Sequence, residues 1–315
     1  MTTPTQTLLR LGTRGSLLAR TQSGLVAKIL EHRHADLRVE EVVLVTSGDV
    51  ITDRPLHEVG GKGLFTKELE LAILRGDIDF AVHSYKDVPV TEPLVDQEEL
   101  VIASVLPRED ARDVLVSLGT RRIGDLRQGA RVGTGSLRRR CQLLAQRPDL
   151  VIEPVRGNID TRLRKLRDGL FDAIVLALAG LKRAALFDQA IMTPLDVSEM
   201  IPAPGQGALA LQCRRDNRRA RELLSSISDP PAVTCVLAER ALVRSLRGDC
   251  LSPIGVHARL VNNAVQLVAA VGARGGEPPV LRASATASES NSAVMAAYNS
   301  LLEQDVTRLL HGAAP

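Results

Sequence analysis

Ser84, Lys86 and Asp87 stand almost side by side in the stretch His83-Ser84-Tyr85-Lys86-Asp87-Val88-Pro89. The apolar run Ile78 to Val82 before them reads as a buried strand, and Pro89 ends it. Polar groups at a strand end occupy the place where α/β folds put their ligand sites. A carboxylate there can hold a positive charge that develops on a substrate and pass protons to and from it, which makes Asp87 the candidate chemical centre. The same spacing also fits a surface turn with an incidental Lys-Asp pair.

Two other turns carry candidate binding residues. Gly12-Thr13-Arg14-Gly15-Ser16 joins a short strand, Leu8 to Leu11, to an amphipathic helix from Leu17 to about His32. Ser16 suits the N-cap, free backbone N–H groups make an anion site, and Arg14 adds a bidentate cation. Arg131-Val132-Gly133-Thr134-Gly135-Ser136 repeats the plan ahead of a helix over Leu137–Gln146, with Thr134 and Ser136 as hydroxyl donors. Arg138, Arg139 and Arg140 open that helix, while Arg156 and Arg162 flank the next helix start at Asn158 to Asp160. From Arg121 to Arg183 there are fifteen Lys/Arg against six Asp/Glu, although the whole chain carries a net charge of only +3. Cations at a helix N-terminus oppose the dipole, so several in one place ask for a polyanion, unless they form only a solvated basic face. Nucleic acid is the generic polyanion. With no Trp, two Tyr and four Phe, the chain lacks the stacking surface that single-strand binding uses, and no recognition-helix motif is present. A multiply carboxylated small molecule suits the pattern better.

The elements around these turns predict two copies of one α/β unit facing each other across a cleft. In the first copy, Val39 to Val45 is a second strand and Leu64 to Arg75 a helix closed by Gly76. In the second, Thr161 to Asp168 is closed by Gly169 and followed by a strand at Phe171 to Val175. The first copy alone has a long loop, Ser47 to Gly63, whose Gly60-Gly61-Lys62-Gly63 lacks Walker spacing and is no P-loop. Met200 to Ala208 is a Pro/Gly crossover, and Leu209 to Leu211 returns the chain to the first unit. A small α+β domain follows, with a helix from about Ala232 to Arg247, a hairpin of Val256–Leu260 and Val265–Ala270 turning at Asn262-Asn263, and a last helix over about Ser292 to Leu310. The expected division is residues 1–104 with 202–221, residues 105–201, and residues 222–315.

Cys141, Cys213 and Cys235 fall in helix or strand patterns as buried small hydrophobes, whereas Cys250 lies in the turn Gly248-Asp249-Cys250-Leu251-Ser252-Pro253 past a helix end. The helix dipole disfavours a thiolate there, with Arg244 and Arg247 able to offset it. That makes Cys250 a poor general nucleophile. It suits a tether alkylated once by a very reactive electrophile. The four cysteines form neither a disulfide framework nor a metal motif, no signal segment opens the chain, and no apolar run is long enough to span a bilayer. A cytoplasmic enzyme without metal, bound to neither membrane nor nucleic acid, is the expectation.

Seven collinear motifs between Arg10 and Gly255 resemble the porphobilinogen deaminase (hydroxymethylbilane synthase) family. They are Gly-Thr-Arg-x-Ser, Gly-Gly-Lys-Gly-Leu-Phe, His-Ser-x-Lys-Asp-x-Pro, Gly-Thr-x-Ser-Leu-Arg-Arg, Arg-Gly-Asn, Pro-Ala-x-Gly-Gln-Gly-Ala and Gly-x-Cys-x-x-Pro-Ile-Gly. The resemblance implies two domains like type II periplasmic binding proteins plus a small C-terminal α+β domain. It implies a covalent dipyrromethane cofactor, thioether-linked to Cys250, on which four porphobilinogen molecules condense with loss of ammonia before water releases hydroxymethylbilane. It implies Asp87 as the catalytic carboxylate, with Ser84, Lys86 and Asp49 lining the site. Arg14, Ser16, Thr134, Ser136, Arg138, Arg139, Arg156 and Arg162 would hold acetate and propionate groups, with Arg183 and Lys62 nearby. It further implies a monomer that passes its product to uroporphyrinogen-III synthase. Departures from the family pattern are Ser47 at a slot often basic, Tyr85 (expected beside the cofactor), Gly135, Gln212 and Asp249. A non-enzymatic solute-binding protein on the same fold is the rival, and would need neither Asp87 nor Cys250.

Overall fold

The computed structural model describes residues 7–46, 66–90, 98–249 and 252–312. Asp49, Lys62, Cys250 and the loop from Ser47 to Gly63 lie outside these residues. Strand β1 (Thr7–Arg14) buries Leu9 and Leu11, then Ser16 caps α1 (Leu17–Arg33) by accepting from Ala19 N–H at 3.3 Å. Strand β2 (Leu37–Leu44) follows, and α2 (Lys67–Arg75) ends at Gly76, whose φ of 76° closes it. Next come β3 (Phe80–Ser84), a single tight turn at Tyr85–Asp87, and β4 (Leu100–Val105). The chain then enters a second unit through β5 (Asp113–Ser117), β6 (Arg131–Gly133), α3 (Leu137–Gln146), β7 (Val151–Glu153), α4 (Ile159–Arg167), β8 (Ala173–Ala177), α5 (Leu178–Arg183) and β9 (Met192–Pro194). It returns as β10 (Leu209–Arg214) and α6 (Arg218–Ser225).

The first sheet has the order β2-β1-β3-β10-β4 and the second β7-β6-β8-β5-β9. In each, three parallel strands carry one antiparallel strand, β10 or β5, inserted beside the third. The expected repeat is therefore present as one topology used twice, and the inserted strand is where the chain enters or re-enters each unit. The two crossings run side by side, with Leu106 N–H donating to Leu209 O at 3.2 Å and Glu109 N–H to Gly207 O at 3.1 Å.

The small third unit packs α7 (Pro230–Ser245) and α8 (Ser290–Glu303) on the antiparallel sheet β11 (Ile254–Val261), β12 (Ala264–Val271) and β13 (Leu281–Ala287). Its hairpin turns at Asn262 and Asn263, with φ of 50° and 60°, as the Asn-Asn pair predicts. Together the three units give a pair of α/β units of one topology and a small α+β domain.

Two expectations need correction, on the last helix and on Tyr85. The last helix is broken: Asp305 takes a φ of 59°, Gln304 Nε2 donates to Arg282 O at 3.0 Å on β13, and α9 (Val306–His311) starts afresh. Residue 221 falls inside α6, whose Ala220 and Leu224 belong to the core under the first sheet. Tyr85 lies under α7 with Val88 and Val236, turned into the junction with the third unit rather than beside a cleft ligand. No helix among the described residues is long and apolar enough to cross a membrane.

Gly207 sits where the crossings touch, with φ of 86°, and a methyl there would lie 2.3 Å from Glu109 O. Gly207→Ala is expected to destabilise the protein by roughly 1–3 kcal/mol, read as a lower urea midpoint at unchanged slope.

Candidate active site

A cleft of about 800 Å³ separates the two sheets, and the second crossing, Gln206 to Ala208, forms part of its lining. The first unit supplies the end of β1 and the start of α1, with Arg14 and Ser16, and the turn after β3, with Ser84, Lys86 and Asp87. The second unit supplies Arg139, the start of α4 from Arg156 to Arg162, Lys165, and Arg183 at the end of α5. Both contributions follow from the repeat, since parallel strands of each sheet point their C-terminal ends and following helix starts at the gap.

Nine of the expected residues thus meet in one cleft: Arg14, Ser16, Ser84, Lys86, Asp87, Arg139, Arg156, Arg162 and Arg183. Three others fall outside this lining and make hydrogen bonds within the protein. Thr134, 5% exposed, accepts from Ser136 N–H at 3.3 Å, and Ser136 caps α3 by accepting from Arg139 N–H at 3.5 Å. Arg138, 3% exposed, faces inward, donating through Nη1 to Asp113 Oδ2 and to Ile201 O, both at 2.7 Å. Its neighbour Arg139 reaches the cleft wall but donates to Asp113 Oδ1 from Nε at 3.2 Å and Nη2 at 2.8 Å, and to Val175 O from Nη1 at 2.8 Å.

Sequence reasoning missed Asp113, Gln206, Gln22 and Lys165. Lys165 was within reach, because it sits three residues after Arg162 on the same helix face. Gln206 Nε2 donates to Ala111 O at 2.7 Å and to Asp113 Oδ1 at 2.9 Å, tying the two crossings together. Gln22, on α1, meets Ser84, with Nε2 donating to Ser84 Oγ at 3.3 Å.

Positive charge dominates the lining, where Asp87 and Asp160 face seven Lys/Arg among the described residues. Burial pulls the Arg162 guanidinium down to about 10, helped by Arg139 and Arg156 and opposed by Asp87. Burial likewise lowers Lys86, where Asp87 and Asp113 oppose and Arg139 and Arg138 assist. Arg183 is lowered by burial against a weaker pull from Glu109. Arginine stays charged at neutral pH, so the cluster holds surplus charge that only an anionic ligand would relieve. That donor set fits a dipyrromethane, whose side chains are carboxylates.

Behind the turn, His83 is 5% exposed, and burial pushes its pKa down to about 4 despite the bond to Gln212 at 2.9 Å. Gln212 in turn donates to Glu70 at 3.3 Å, a carboxyl that burial raises. Because Gln212 Oε1 accepts from it, His83 carries its proton on Nε2. A neutral folded histidine stabilises the protein fully above pH 6.5, and that contribution is lost as pH falls towards 4. Unfolding free energy is therefore expected to fall more steeply from pH 6.5 to pH 4 in the native chain than in His83→Asn. The difference should reach on the order of 3 kcal/mol, measured by denaturant titration at each pH.

A family model described as "Porphobilinogen deaminase, dipyromethane cofactor binding domain" matches residues 9–222, and "Porphobilinogen deaminase, C-terminal domain" matches residues 233–297. The porphobilinogen deaminase of Syntrophobacter fumaroxidans (strain DSM 10017 / MPOB) is 48% identical over 273 residues, 87% of each chain. That of Acidithiobacillus ferrooxidans (strain ATCC 53993 / BNL-5-31) is 44% identical over 302 residues, 96% of this chain and 97% of the relative. Among solved structures, the periplasmic aliphatic sulphonate binding protein SsuA from Escherichia coli is 18% identical with a TM-score of 0.38, covering 76% of this chain and 70% of its own. The Bordetella pertussis BvgS periplasmic VFT2 domain is 14% identical with a TM-score of 0.39, covering 70% and 86%. Motif order, cleft chemistry and relatives spanning most of the sequence agree: the chain belongs to the porphobilinogen deaminase family of enzymes.

Proposed function

We propose that the cleft joins four porphobilinogen molecules head to tail, with loss of ammonia at each step, and releases the linear hydroxymethylbilane by hydrolysis. The observation that carries this reading is the exposed carboxylate of Asp87, set among a surplus of cations in the cleft. Porphobilinogen has the matching pattern of two carboxylates and a ring on which positive charge develops as ammonia leaves. A dipyrromethane bound through a thioether to Cys250 would supply the pyrrole carbon that attacks the incoming unit.

The chain's own residues divide the remaining work. Arg14, Arg156, Arg162 and Arg183, with Lys165 beside them, take acetate and propionate groups as bidentate or point-charge partners. Ser16, at the N-cap of α1, presents a hydroxyl and the helix N-terminus to the same groups. Arg139, held by Asp113, keeps a fixed guanidinium at the wall. Asp87 stabilises the charge that develops on the substrate ring, holds the pyrrole N–H and relays the proton that must leave. Lys86 stands beside Asp87 in the same tight turn, and Ser84 orients that turn through Gln22. Asp49, Lys62, Thr134, Ser136 and Arg138 complete the residues assigned here, the last three as the frame of α3. The reading also places the enzyme in the cytoplasm, as a monomer that passes its product to uroporphyrinogen-III synthase.

The decisive experiment pairs intact mass with turnover. The native chain is expected to be heavier than its sequence by one dipyrromethane, and Cys250→Ser to lack that increment. Asp87→Asn is expected to keep the increment and lose about 10²–10⁴-fold in kcat. Arg162→Leu should instead raise KM for porphobilinogen by roughly tenfold or more with a smaller loss of kcat. A native chain that stays unmodified after incubation with porphobilinogen or preformed hydroxymethylbilane would falsify the reading and favour a binding protein on the same fold.

A further inference from the structure

Arg240 belongs to the third unit, yet its side chain ends at the Lys86–Asp87 turn of the first. It is 7% exposed on α7. Its Nη1 donates to Val88 O at 2.9 Å and Tyr85 O at 3.4 Å, its Nη2 to Pro89 O at 2.5 Å, and its guanidinium carbon lies 4.5 Å from the Tyr85 ring centroid. These carbonyls bracket Lys86 and Asp87 on both sides. The preceding residue, Glu239, is fully buried and accepts from Arg108 Nη1 at 2.6 Å, Gly205 N–H at 2.7 Å and Ala258 N–H at 2.7 Å. Two adjacent side chains of one helix therefore grip both crossings and the candidate catalytic turn, and the same helix leads within a few residues to Cys250.

We propose that Arg240 is a positioning residue for turnover: it fixes the Lys86–Asp87 turn relative to the unit that carries Cys250, with Tyr85 as the stacking half of the clamp. A guanidinium suits this task because its planar fork serves three carbonyls while its face lies on an aromatic ring. Asp87 itself is not touched, so the effect falls on where the carboxylate stands rather than on whether ligand carboxylates bind. Small displacements of a reacting group lower the rate of the chemical step with little change in binding. The proposal rests on the assignment of Asp87 above.

The test compares Arg240→Met, Arg240→Lys and Tyr85→Leu with the native holoenzyme, with kcat expressed per molecule carrying the dipyrromethane mass increment. Arg240→Met is expected to lose roughly tenfold or more in kcat with KM within about twofold, and Arg240→Lys to recover part of the loss. Amide hydrogen exchange, which does not depend on turnover, should speed up in peptides covering residues 84–90 while the β11–β12 hairpin keeps its native rate. Native kcat per loaded molecule in Arg240→Met overturns the proposal. So does unchanged exchange at residues 84–90. Should Arg240→Met fail to fold, Tyr85→Leu decides, since it removes the ring and leaves the donors to the carbonyls. A fall of a few-fold in kcat at native thermal midpoint supports the clamp, and native kcat overturns it. If Asp87→Asn keeps full activity, the functional assignment fails, while the exchange result still decides whether Arg240 holds the turn.

Discussion

Asp113 is a carboxylate with no solvent exposure, and the geometry of the cleft depends on it. It opens β5 at the point where the chain enters the second sheet, and accepts from Arg138, Arg139 and Gln206. Burial works to raise its pKa, but the two guanidinium groups outweigh that and hold it well below the usual carboxylate range. Each partner then carries the order outward. Arg138 reaches Ile201 O, Gln206 reaches Ala111 O, and Arg139 presents its fixed plane to the cleft. Desolvating such a charge costs several kcal/mol, so the arrangement persists only while its partners are all in place. One buried anion thereby sets the start of α3 and both crossings in register.

This division of labour among the arginines explains how a cleft can be both ordered and strongly positive. Arg138 and Arg139 share the buried carboxylate, which answers one of their two charges inside the protein. Arg162 and Arg183 are oriented instead by backbone carbonyls, Gly157 O at 2.8 Å and Gly207 O at 2.7 Å. A carbonyl orients a guanidinium without neutralising it. Those side chains are thus held in place with their full charge available to ligand carboxylates. Asp87, on the opposite wall, and Asp160, at the start of α4, are the two carboxylates among the described lining residues.

Much of this was legible along the chain because it is local. A Ser N-cap after a strand, Gly76 and Gly169 with φ of 76° and 75° at helix ends, and Asn262-Asn263 in the hairpin are decided by near neighbours. Ligand residues clustered on strand ends for the same reason. What could not be read depends on partners far off in sequence. Asp113 finds Arg138 and Arg139 25 and 26 residues on, and Gln206 93 residues on. Which of two adjacent arginines faces inward is a matter of how α3 docks, not of its composition. Tyr85 was expected beside the ligand, but an arginine 155 residues later draws it the other way. The break at Asp305 likewise answers to Arg282 on β13, an element whose mixed side chains gave no clear strand signal.

The two sides of the cleft are held by different forces, and this bears on how a growing chain is accommodated. Along the crossings the contacts are directional and charged: Glu239 with Arg108, Gln206 with Asp113, Arg183 with Gly207 O. At Gly180 the two units meet through apolar side chains, where a methyl would lie 3.4 Å from Ile159 Cδ1 and 3.5 Å from Leu18 Cδ2. Directional bonds resist displacement in every sense, whereas apolar contact is lost only in proportion to the area exposed, about 25 cal/mol per Å². Widening the gap is therefore least costly at the Leu18–Ile159 lip. The crossings carry the third unit through Glu239, and Arg240 ties α7 to the carbonyls on either side of the Lys86–Asp87 turn.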